Sequence, residues 1–323
     1  MRIHLTAGLL VAVILSNGCA TRPASPGRLV GSFDFALIGD VPYSDEQVTN
    51  LFPNMIAEMN GERLAFVIHD GDIKSGASPC SDAVFQERFR QFQTFRHPLI
   101  YIFGDNEWTD CGTGTNHFDT EERLIKLREV FTAGDQSLGQ RKLKLVRQSS
   151  DAAHAKFREN VRWEMGGVMF AGLNVPGSSN NYGKPEFAER NAANIAWLKQ
   201  AFAVAQQDKA RAMMVIIQAN PIPERGGTNK IHAGFMEMLE VLEDETVAFR
   251  KPVVLVHGDS HYFRIDQPLL GSKSRRRIEN FTRVETFGNP DVHWLRVSVD
   301  WRDPNVFRFH TQYVRKNLLK HQR

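Results

Sequence analysis

Val67-Ile68-His69-Asp70-Gly71-Asp72-Ile73-Lys74-Ser75-Gly76 is an apolar strand that runs directly into acids and glycines. The apolar pattern predicts a strand over residues 64–68, which ends just before the first acid. A strand with this ending carries a carboxylate to the carboxyl edge of a sheet, which is where α/β enzymes place their chemistry. We therefore expect Asp72 to lie in a functional pocket at that edge.

Three other apolar strands end in the same way. They are predicted over residues 35–39, 99–103 and 253–256, and they precede Asp40, Asp105-Asn106-Glu107 and Gly258-Asp259-Ser260-His261. The pattern is weak at any single position, but its repetition along the chain makes it stronger. We expect the four strand ends to converge on one pocket that contains several acids.

The composition is that of a soluble globular protein, with 42% hydrophobic and 24% charged residues. A chain of 323 residues can bury a large core and can form one large domain or two. The net charge of +3 is too small to indicate a nucleic-acid partner, and no basic groove with interleaved aromatic residues is evident. We expect no binding to nucleic acid.

The first residues have the pattern of a secretory signal. Arg2 and His4 precede an apolar run over residues 5–15, which is too short to span a bilayer and leads into small residues. We therefore expect an exported protein in the periplasm or cell envelope. Cys19 stands where a lipobox places its acylated cysteine, so lipid anchoring through Cys19 and simple cleavage both remain open. The predicted segments are a signal (1–19), a linker (20–32), one domain (33–315) and a tail (316–323).

Cys80 and Cys111 are the two cysteines that remain if Cys19 belongs to the signal. In an oxidising compartment such a pair forms a disulfide, and each cysteine lies several residues after a strand end assigned to the pocket. We predict a Cys80–Cys111 disulfide. Two separate free thiols are the alternative, because spacing alone does not establish the geometry of the bond.

The rest of the chain predicts an α/β (α+β) fold with two sheets. Residues 161–164 and 168–175 are β-rich and are separated by Gly166-Gly167, which indicates a hairpin and the start of a second sheet. Pro53 is expected to kink or interrupt the first helix. Helices are predicted over residues 45–60, 80–96, 120–131, 187–202 and 231–249, and further strands over 213–217, 262–265, 281–287, 293–299 and 306–313.

The acids at the strand ends predict a metal site. Hard divalent cations take oxygen ligands, and one carboxylate can bridge two ions when other side chains complete each shell. The candidate ligands are Asp40, Asp72, Asn106, Asp259 and His261. A structural role is the alternative at each position, since Asp and Asn are also turn formers beside glycine and a lone histidine is usually not a ligand.

The four blocks resemble those of the calcineurin-like metallophosphoesterases, which read Asp-x-His, Gly-Asp, Gly-Asn-His-Asp/Glu and Gly-His-x-His. The resemblance covers residues 33–313. It implies a two-sheet β-sandwich flanked by helices, with Asp72 as the ligand that bridges two metal ions. It further implies Asp40, Asn106 and His261 as metal ligands.

The departures from the family pattern remove nitrogen ligands. Pro42 replaces a metal-binding histidine, Glu107 the substrate-protonating histidine and Asp259 the first histidine of the last block. A further histidine expected before Pro221 is missing, and strict spacing places Ala219 there. An oxygen-rich site favours Mn²⁺, Mg²⁺ or Ca²⁺ over Zn²⁺, and the loss of ligands predicts one ion or a loosely bound pair.

These observations predict an exported metal-dependent phosphoesterase. It would hydrolyse a phosphomonoester or phosphodiester with a metal-activated water, with Asp72 at the metal and Glu107 as a general acid if burial raises its pKa. Glu107 as a charged loop residue or an extra ligand is the alternative. The missing histidines motivate a second hypothesis, a non-catalytic envelope protein that retains the fold and uses the pocket for binding.

Overall fold

The computed structural model describes residues 31–114, 116–222 and 231–318. The predicted signal, Cys19, nearly all of the linker and the end of the tail lie outside these residues. Among the described residues, no helix has both the length and the apolar character needed to cross a membrane.

The first sheet has five strands in the order β12-β11-β1-β2-β3. Strands β1, β2 and β3 are parallel, with Leu37 opposite Ile68 and Ile68 opposite Ile100. The segments that follow these three strands therefore emerge at one edge, as the sequence predicted. The strands are β1 (Phe33–Ile38), β2 (Val67–His69), β3 (Leu99–Tyr101), β11 (Trp294–Val299) and β12 (Phe307–Gln312).

The second sheet has seven strands in the order β4-β5-β6-β7-β8-β10-β9. Its first hairpin turns at Gly166 and Gly167, whose φ values of 59° and 79° suit the tight connection that the sequence indicated. The strands are β4 (Val146–Arg147), β5 (Val161–Met165), β6 (Val168–Gly172), β7 (Ala212–Ile216), β8 (Val253–His257), β9 (Arg264–Asp266) and β10 (Phe281–Glu285).

The helices agree with the predicted positions within a few residues, apart from a short turn after β6. Pro53 is the second residue of α1, and the π-helical segment Gln47–Leu51 directly precedes α1 with helical backbone at the junction, so this helix changes its hydrogen-bond pattern near the proline without a break. The helices are α1 (Phe52–Gly61), α2 (Asp82–Phe92), α3 (Thr120–Phe131), the four-residue turn α4 (Gly177–Asn180), α5 (Phe187–Gln207) and α6 (Ala233–Phe249); short 3₁₀ turns are Thr109–Gly112, Gln148–Ser150, Ala152–His154 and Arg315–Asn317.

The two sheets pack face to face around a central apolar layer. This layer contains Phe35 and Ile68 from the first sheet and Phe170 and Met214 from the second. The ring of Phe170 lies 5.5 Å from that of Phe35 between centroids, in an edge-to-face contact of the kind aromatic pairs prefer. The prediction of a two-sheet sandwich is therefore confirmed.

Helices cover the outer face of each sheet. Phe52, Phe92 and Leu127 from α1, α2 and α3 pack in one cluster with residues of the first sheet. Leu198 and Leu242 from α5 and α6 pack in a second cluster with residues of the second sheet. Both sheets are thus buried on two faces, which leaves their edges and loops to carry the polar chemistry.

The predicted disulfide between Cys80 and Cys111 is present, with the two Cα atoms 5.8 Å apart. Both sulfur atoms also lie within 3.7 Å of the carbonyl oxygen of Asn106. Cys80 follows the loop after β2, and Cys111 follows the loop after β3. The bond therefore ties together the two loops that begin with Asp72 and Asn106.

Candidate active site

The strand ends place their polar residues on an unusual backbone. Asp40, Asp72, Asp259 and His261 have φ values of 51°, 59°, 79° and 59°. Residues other than glycine seldom adopt this left-handed region, and Asp and His are among those that do so most often. The conformation turns each side chain away from the direction of its strand, and its cost is offset by the contacts described below.

Glycines of two blocks make room for the carboxylates of two others. A methyl group on Gly104 would lie 2.1 Å from Oδ1 of Asp72, and one on Gly258 would lie 2.1 Å from Oδ2 of Asp40. No side chain fits at such distances. Gly104 and Gly258 thus make room for acids that are distant in sequence, whereas a methyl group on Gly71 would meet the side chain of Gln218.

The hydroxyl of Tyr43 is the centre of the site. It donates a hydrogen bond to Oδ2 of Asp72 at 2.8 Å, accepts one from Nδ2 of Asn106 at 2.9 Å and lies 3.2 Å from Nε2 of His261. We call these four side chains the Tyr43 cluster. Asp72, Asn106 and His261 are among the ligands that the sequence predicted, and Tyr43 is not.

Asp72 is held from three directions. Its carboxylate accepts the hydroxyl of Tyr43, the side-chain amide of Asn106 at 2.7 Å and the backbone N–H of Asn106 at 3.1 Å. Burial raises its pKa well above the usual range, and the negative charges of Asp105 and Glu107 raise it further. A cation in this position would remove that cost.

Asp40 lies beside the Tyr43 cluster. Its buried carboxylate accepts the backbone N–H of Asp259, at 3.0 and 3.2 Å from its two oxygens, and lies 3.8 Å from Nε2 of His261. Burial raises its pKa well above the usual range, followed by the charge of Asp70. Burial lowers the pKa of His261, which favours the neutral imidazole that a metal ion requires.

Asp259 is directed towards the second sheet. One oxygen of its carboxylate accepts the backbone N–H of Asn220 at 3.0 Å, and the other lies 3.5 Å from Nε2 of Gln218. The side-chain oxygen of Gln218 accepts the backbone N–H of Gly177 at 2.5 Å. Neither Gln218 nor Asp259 belongs to the Tyr43 cluster, although the backbone of Asp259 contacts Asp40.

Glu107 lies fully buried behind Asp72, where four donors occupy its carboxylate. They are the hydroxyl of Tyr101 and the N–H of Gly104, both at 2.6 Å, and the N–H groups of Asp72 and Ile73 at 3.1 and 3.3 Å. These contacts fix the loops after β2 and β3 to each other. The sequence left three roles open for Glu107, as a general acid, a charged loop residue or an extra ligand, and these stay predictions.

Two further histidines support the strand ends from inside. Nδ1 of His69 accepts the N–H of Gly71 at 3.3 Å, so Nε2 donates to the carbonyl oxygen of Val41 at 2.9 Å. Burial lowers the pKa of His69 to about 4 and that of His257 to about 3. Both are therefore neutral buried histidines at physiological pH.

Three residues of the site had no role in the sequence prediction. Lys74 is 1% exposed, and Asp105 is 6% exposed. The hydroxyl of Ser178 contacts the carboxylates of Asp105 at 2.9 Å and Asp110 at 2.6 Å. Burial raises the pKa of Asp105 to about 7, with the charge of Asp259 as the next cause. Lys74 lies within residues 67–76, the stretch quoted at the start of the sequence analysis. The sequence does not show that its side chain is buried.

A divalent cation at the Tyr43 cluster would need ligand atoms from several different side chains. Among the described residues, no group of three or more His, Cys, Asp or Glu side chains is arranged to hold a metal ion. Asp40, Asp72 and His261 do lie around the hydroxyl of Tyr43, whereas Asn106 turns its amide nitrogen towards that hydroxyl. Two buried carboxylates without a cationic partner in contact are costly, so this donor set is suited to a positive ion.

A large cavity elsewhere lacks this chemistry. It has a volume of about 1020 Å³ and lies at the opposite edge of the first sheet, beside residues that precede β1, β2 and β3. Arg63, Arg96 and Arg141 line it, and none of the predicted site residues does. Size alone does not identify the active site, and we place it at the carboxyl edge.

The two-sheet sandwich can be compared with solved structures. The chain has the metallophosphoesterase fold, with two mixed sheets flanked by helices and polar strand ends at one edge. No protein-family model matches the sequence, and no curated protein matches it. The fold is therefore established by structural likeness.

The structure of PhoD is similar to this chain, with a TM-score of 0.56, 13% identity and coverage of 86% of this chain and 65% of PhoD. GAP50, described as the anchor in the inner membrane complex of Plasmodium, is similar with a TM-score of 0.50, 11% identity and coverage of 88% and 89%. A purple acid phosphatase from yellow lupin seeds has a TM-score of 0.48 and 11% identity, with coverage of 89% and 55%. At these identities the likeness concerns the fold alone.

Proposed function

We propose that this chain is a metal-dependent phosphoric ester hydrolase that acts on a phosphomonoester or phosphodiester. The observation that carries the proposal is the convergence of Asp40 and the Tyr43 cluster at the carboxyl edge of a metallophosphoesterase fold. The likeness of the fold to that of PhoD, with a TM-score of 0.56, supports it.

A divalent cation would be held by Asp40, Asp72, Asn106 and His261 together with Tyr43. Bound there, it would polarise a phosphoryl oxygen and make water a better nucleophile. Mn²⁺, Mg²⁺ and Ca²⁺ are the ions we propose, because four of these five side chains offer oxygen.

The surrounding residues hold this donor set in place. Glu107 fixes the backbone of Asp72 and Gly104, and the N–H of Asp259 fixes the carboxylate of Asp40. Asn106 contacts Asp72 through both its backbone and its side chain, so the carboxylate has little freedom to turn. Pre-oriented groups of this kind cost no reorganisation when charge develops at phosphorus.

The test is hydrolysis of simple phosphomonoesters and phosphodiesters by purified protein supplied with Mn²⁺, Mg²⁺ or Ca²⁺. We expect turnover that requires a divalent cation, is lost with a chelator and is lost in Asp72→Asn. The control is Asp34→Asn. Asp34 lies on β1, away from the site, and its carboxylate pairs with Arg296 on β11. Absence of turnover with every ion would reject the proposal.

A non-catalytic binding protein is the second candidate. Two observations favour it: the donors of the Tyr43 cluster hydrogen-bond to one another, and GAP50 shares the fold while being described as an anchor. This candidate predicts a folded protein that binds a ligand without converting it. Detectable turnover that depends on Asp72 would reject it.

We also propose export to the periplasm or cell envelope. The Cys80–Cys111 disulfide supports this, because such bonds persist in oxidising compartments. Cell fractionation of the full chain tests the location, and a Cys19→Ala variant distinguishes a lipid anchor from simple cleavage. Membrane association that is lost in the variant would establish the anchor, and a soluble wild-type protein would reject it.

A further inference from the structure

Three arginines line the cavity of about 1020 Å³ at the opposite edge of the first sheet. Arg63 and Arg96 lie in the segments just before β2 and β3, and Arg141 lies in the loop between α3 and β4. The candidate active site is at the carboxyl edge, so the function proposed above gives these arginines no role. We call them the arginine trio.

The charge of the arginine trio is not balanced by the acids beside it. Among the described residues, none of the three arginines forms an ion pair with an acid. Asp34 and Glu62 also line the cavity, but both carboxylates pair with Arg296, at 3.1 and 2.8 Å. Four arginines against two acids leave an excess of two positive charges in this region.

The neighbouring chain offers no further negative charge. Ser32 lines the cavity, and the residues that precede it, 1–31, contain no Asp or Glu. His97 lies in the cavity wall, where burial lowers its pKa, so it is neutral at physiological pH. The excess of positive charge is therefore available to an anionic ligand.

Two members of the arginine trio are held in place by backbone carbonyls. Arg141 donates through Nε to the carbonyl oxygen of Arg96 at 3.2 Å and through Nη2 to that of Leu64 at 2.8 Å. The same Nη2 contacts Nδ1 of His97. Arg96 donates through Nη1 to the carbonyl oxygen of Asn60 at 3.0 Å, near the end of α1. Side chains that are already ordered lose less freedom when a ligand binds.

The arginine trio keeps donors for a ligand. A guanidinium group has five N–H donors. Among the described residues, Nη1 of Arg141 and Nη2 of Arg96 have no acceptor, and no N–H of the Arg63 side chain has one. A planar guanidinium can donate two parallel hydrogen bonds to one phosphate group.

We propose that this cavity binds a small solute that carries two or more linked phosphate groups. Linked phosphates would supply the negative charge that the region lacks, and the cavity is much larger than one phosphate needs. Cavities for small molecules reach about 1,000 Å³, so the volume suits an organic group beside the phosphates as well. This inference goes beyond the proposed function and does not depend on it, because binding here requires neither a divalent cation nor turnover.

The experiment is a calorimetric titration of the full chain with inorganic pyrophosphate. The buffer contains no divalent cation, because pyrophosphate binds such ions itself. Titration with orthophosphate tests whether a single phosphate is sufficient. Sedimentation with phosphatidylglycerol vesicles tests whether a lipid headgroup is the source of the phosphate instead.

The variants are Arg63→Gln and the matched control Arg315→Gln. Both arginines are exposed, and neither has an ion pair or hydrogen bond from its side chain among the described residues. The turn of Arg315 contacts the start of α1, where Asn317 donates to the carbonyl oxygen of Leu51. The cavity instead includes Gly61 at the end of that helix. The two variants therefore remove the same charge at opposite ends of α1.

We expect one pyrophosphate per wild-type chain, bound about tenfold or more tightly than orthophosphate and more weakly as salt is added. Arg63→Gln should lower the affinity by on the order of tenfold, because it removes a charged donor that the fold does not use. Arg63→Lys keeps the charge but loses the planar fork, so it should bind with intermediate affinity. Arg315→Gln should match the wild type.

Equal affinities in Arg63→Gln and Arg315→Gln, or no binding of pyrophosphate, would overturn the inference. Association with phosphatidylglycerol vesicles alone would overturn it too. Asp72→Asn should bind pyrophosphate as the wild type does, since a changed affinity would place the anion at the candidate active site. The two proposals fail separately: an active enzyme that does not bind pyrophosphate overturns only this inference, and an inactive protein that binds it through Arg63 rejects only the enzyme.

Discussion

The two sheets contribute unequally to the site. The first sheet supplies Tyr43, Asp72 and Asn106, whose side chains hydrogen-bond to one another. From the second sheet only His261 joins them, because the carboxylate of Asp259 is held within the loops of its own sheet. The difference teaches that the hydrogen-bonded centre of the site is built mainly on the first sheet, while the second sheet holds most of its polar side chains within its own loops.

The largest expected effect is a difference in kcat between variants of the two sheets. We expect Asp72→Asn to lower kcat by on the order of 10²–10³, and Asp259→Asn by about tenfold, because only the first carboxylate lies in the Tyr43 cluster. Steady-state kinetics with a saturating divalent cation measures both. Equal losses in the two variants would show that the sheets contribute equally and would break the comparison.

The disulfide provides a second test of the difference between the two sheets, since it joins only loops of the first sheet. It closes a sequence separation of 31 residues. A double Cys80→Ala, Cys111→Ala variant should lose about 3–4 kcal/mol in the free energy of unfolding, because the unfolded chain gains conformational freedom. Urea titration measures this loss. Mn²⁺ affinity should fall as well, and an unchanged affinity would mean that the loops keep their arrangement without the bond.

The contact between the sheets should respond to pH through Asp105. Burial raises its pKa in the folded protein to about 7 from an ordinary value of 3.8. The folded chain then keeps a proton that the unfolded chain releases, so stability falls as pH rises from about 4 to about 7. Melting of chelator-treated protein should show this trend, with a change on the order of 1–3 kcal/mol.

Asp105→Asn is the control for this pH dependence, since it removes the titrating group and should flatten the trend. An equal slope in the variant would assign the dependence to another buried acid. Saturating Mn²⁺ should also reduce the slope, because a cation stabilises the ionised carboxylates around it.

The smallest expected effect is that of changing Tyr43. This residue is not among the ligands that the sequence predicted, but it lies at the centre of the site. Tyr43→Phe should weaken Mn²⁺ binding by about tenfold, since it removes a donor and leaves Asp72 and Asn106 without a shared partner. Calorimetric titration measures the loss. Tyr313→Phe is the control, because Tyr313 is 54% exposed and belongs to the aromatic group around Phe287. Equal affinities in both variants would exclude Tyr43 as a ligand.

The fold was largely predictable because its signals are local. Strand periodicity and the Gly166-Gly167 turn each act over a few residues, and the structure has them where they were expected. The convergence of acids was predictable for a related reason. Parallel strands with the same ending must bring those endings to one edge.

The parts that were missed depend on distances across the chain. Tyr43 reaches Asp72 only because of the backbone path after β1, and Lys74 is notable only because it is buried. The glycines were read as strand endings, whereas Gly104 and Gly258 make room for carboxylates of other blocks. None of these relations has a signature within a short stretch of sequence.

The left-handed backbone at Asp40, Asp72, Asp259 and His261 has an evolutionary consequence. Asparagine accepts this backbone about as readily as aspartate does. One nucleotide change converts an Asp or His codon into an Asn codon, so the mutations that fold most easily here are those that delete a charge or an imidazole. A lineage with this architecture can therefore abandon chemistry in single steps while keeping its shape, and a binding protein is the nearest neighbour of the enzyme in sequence space.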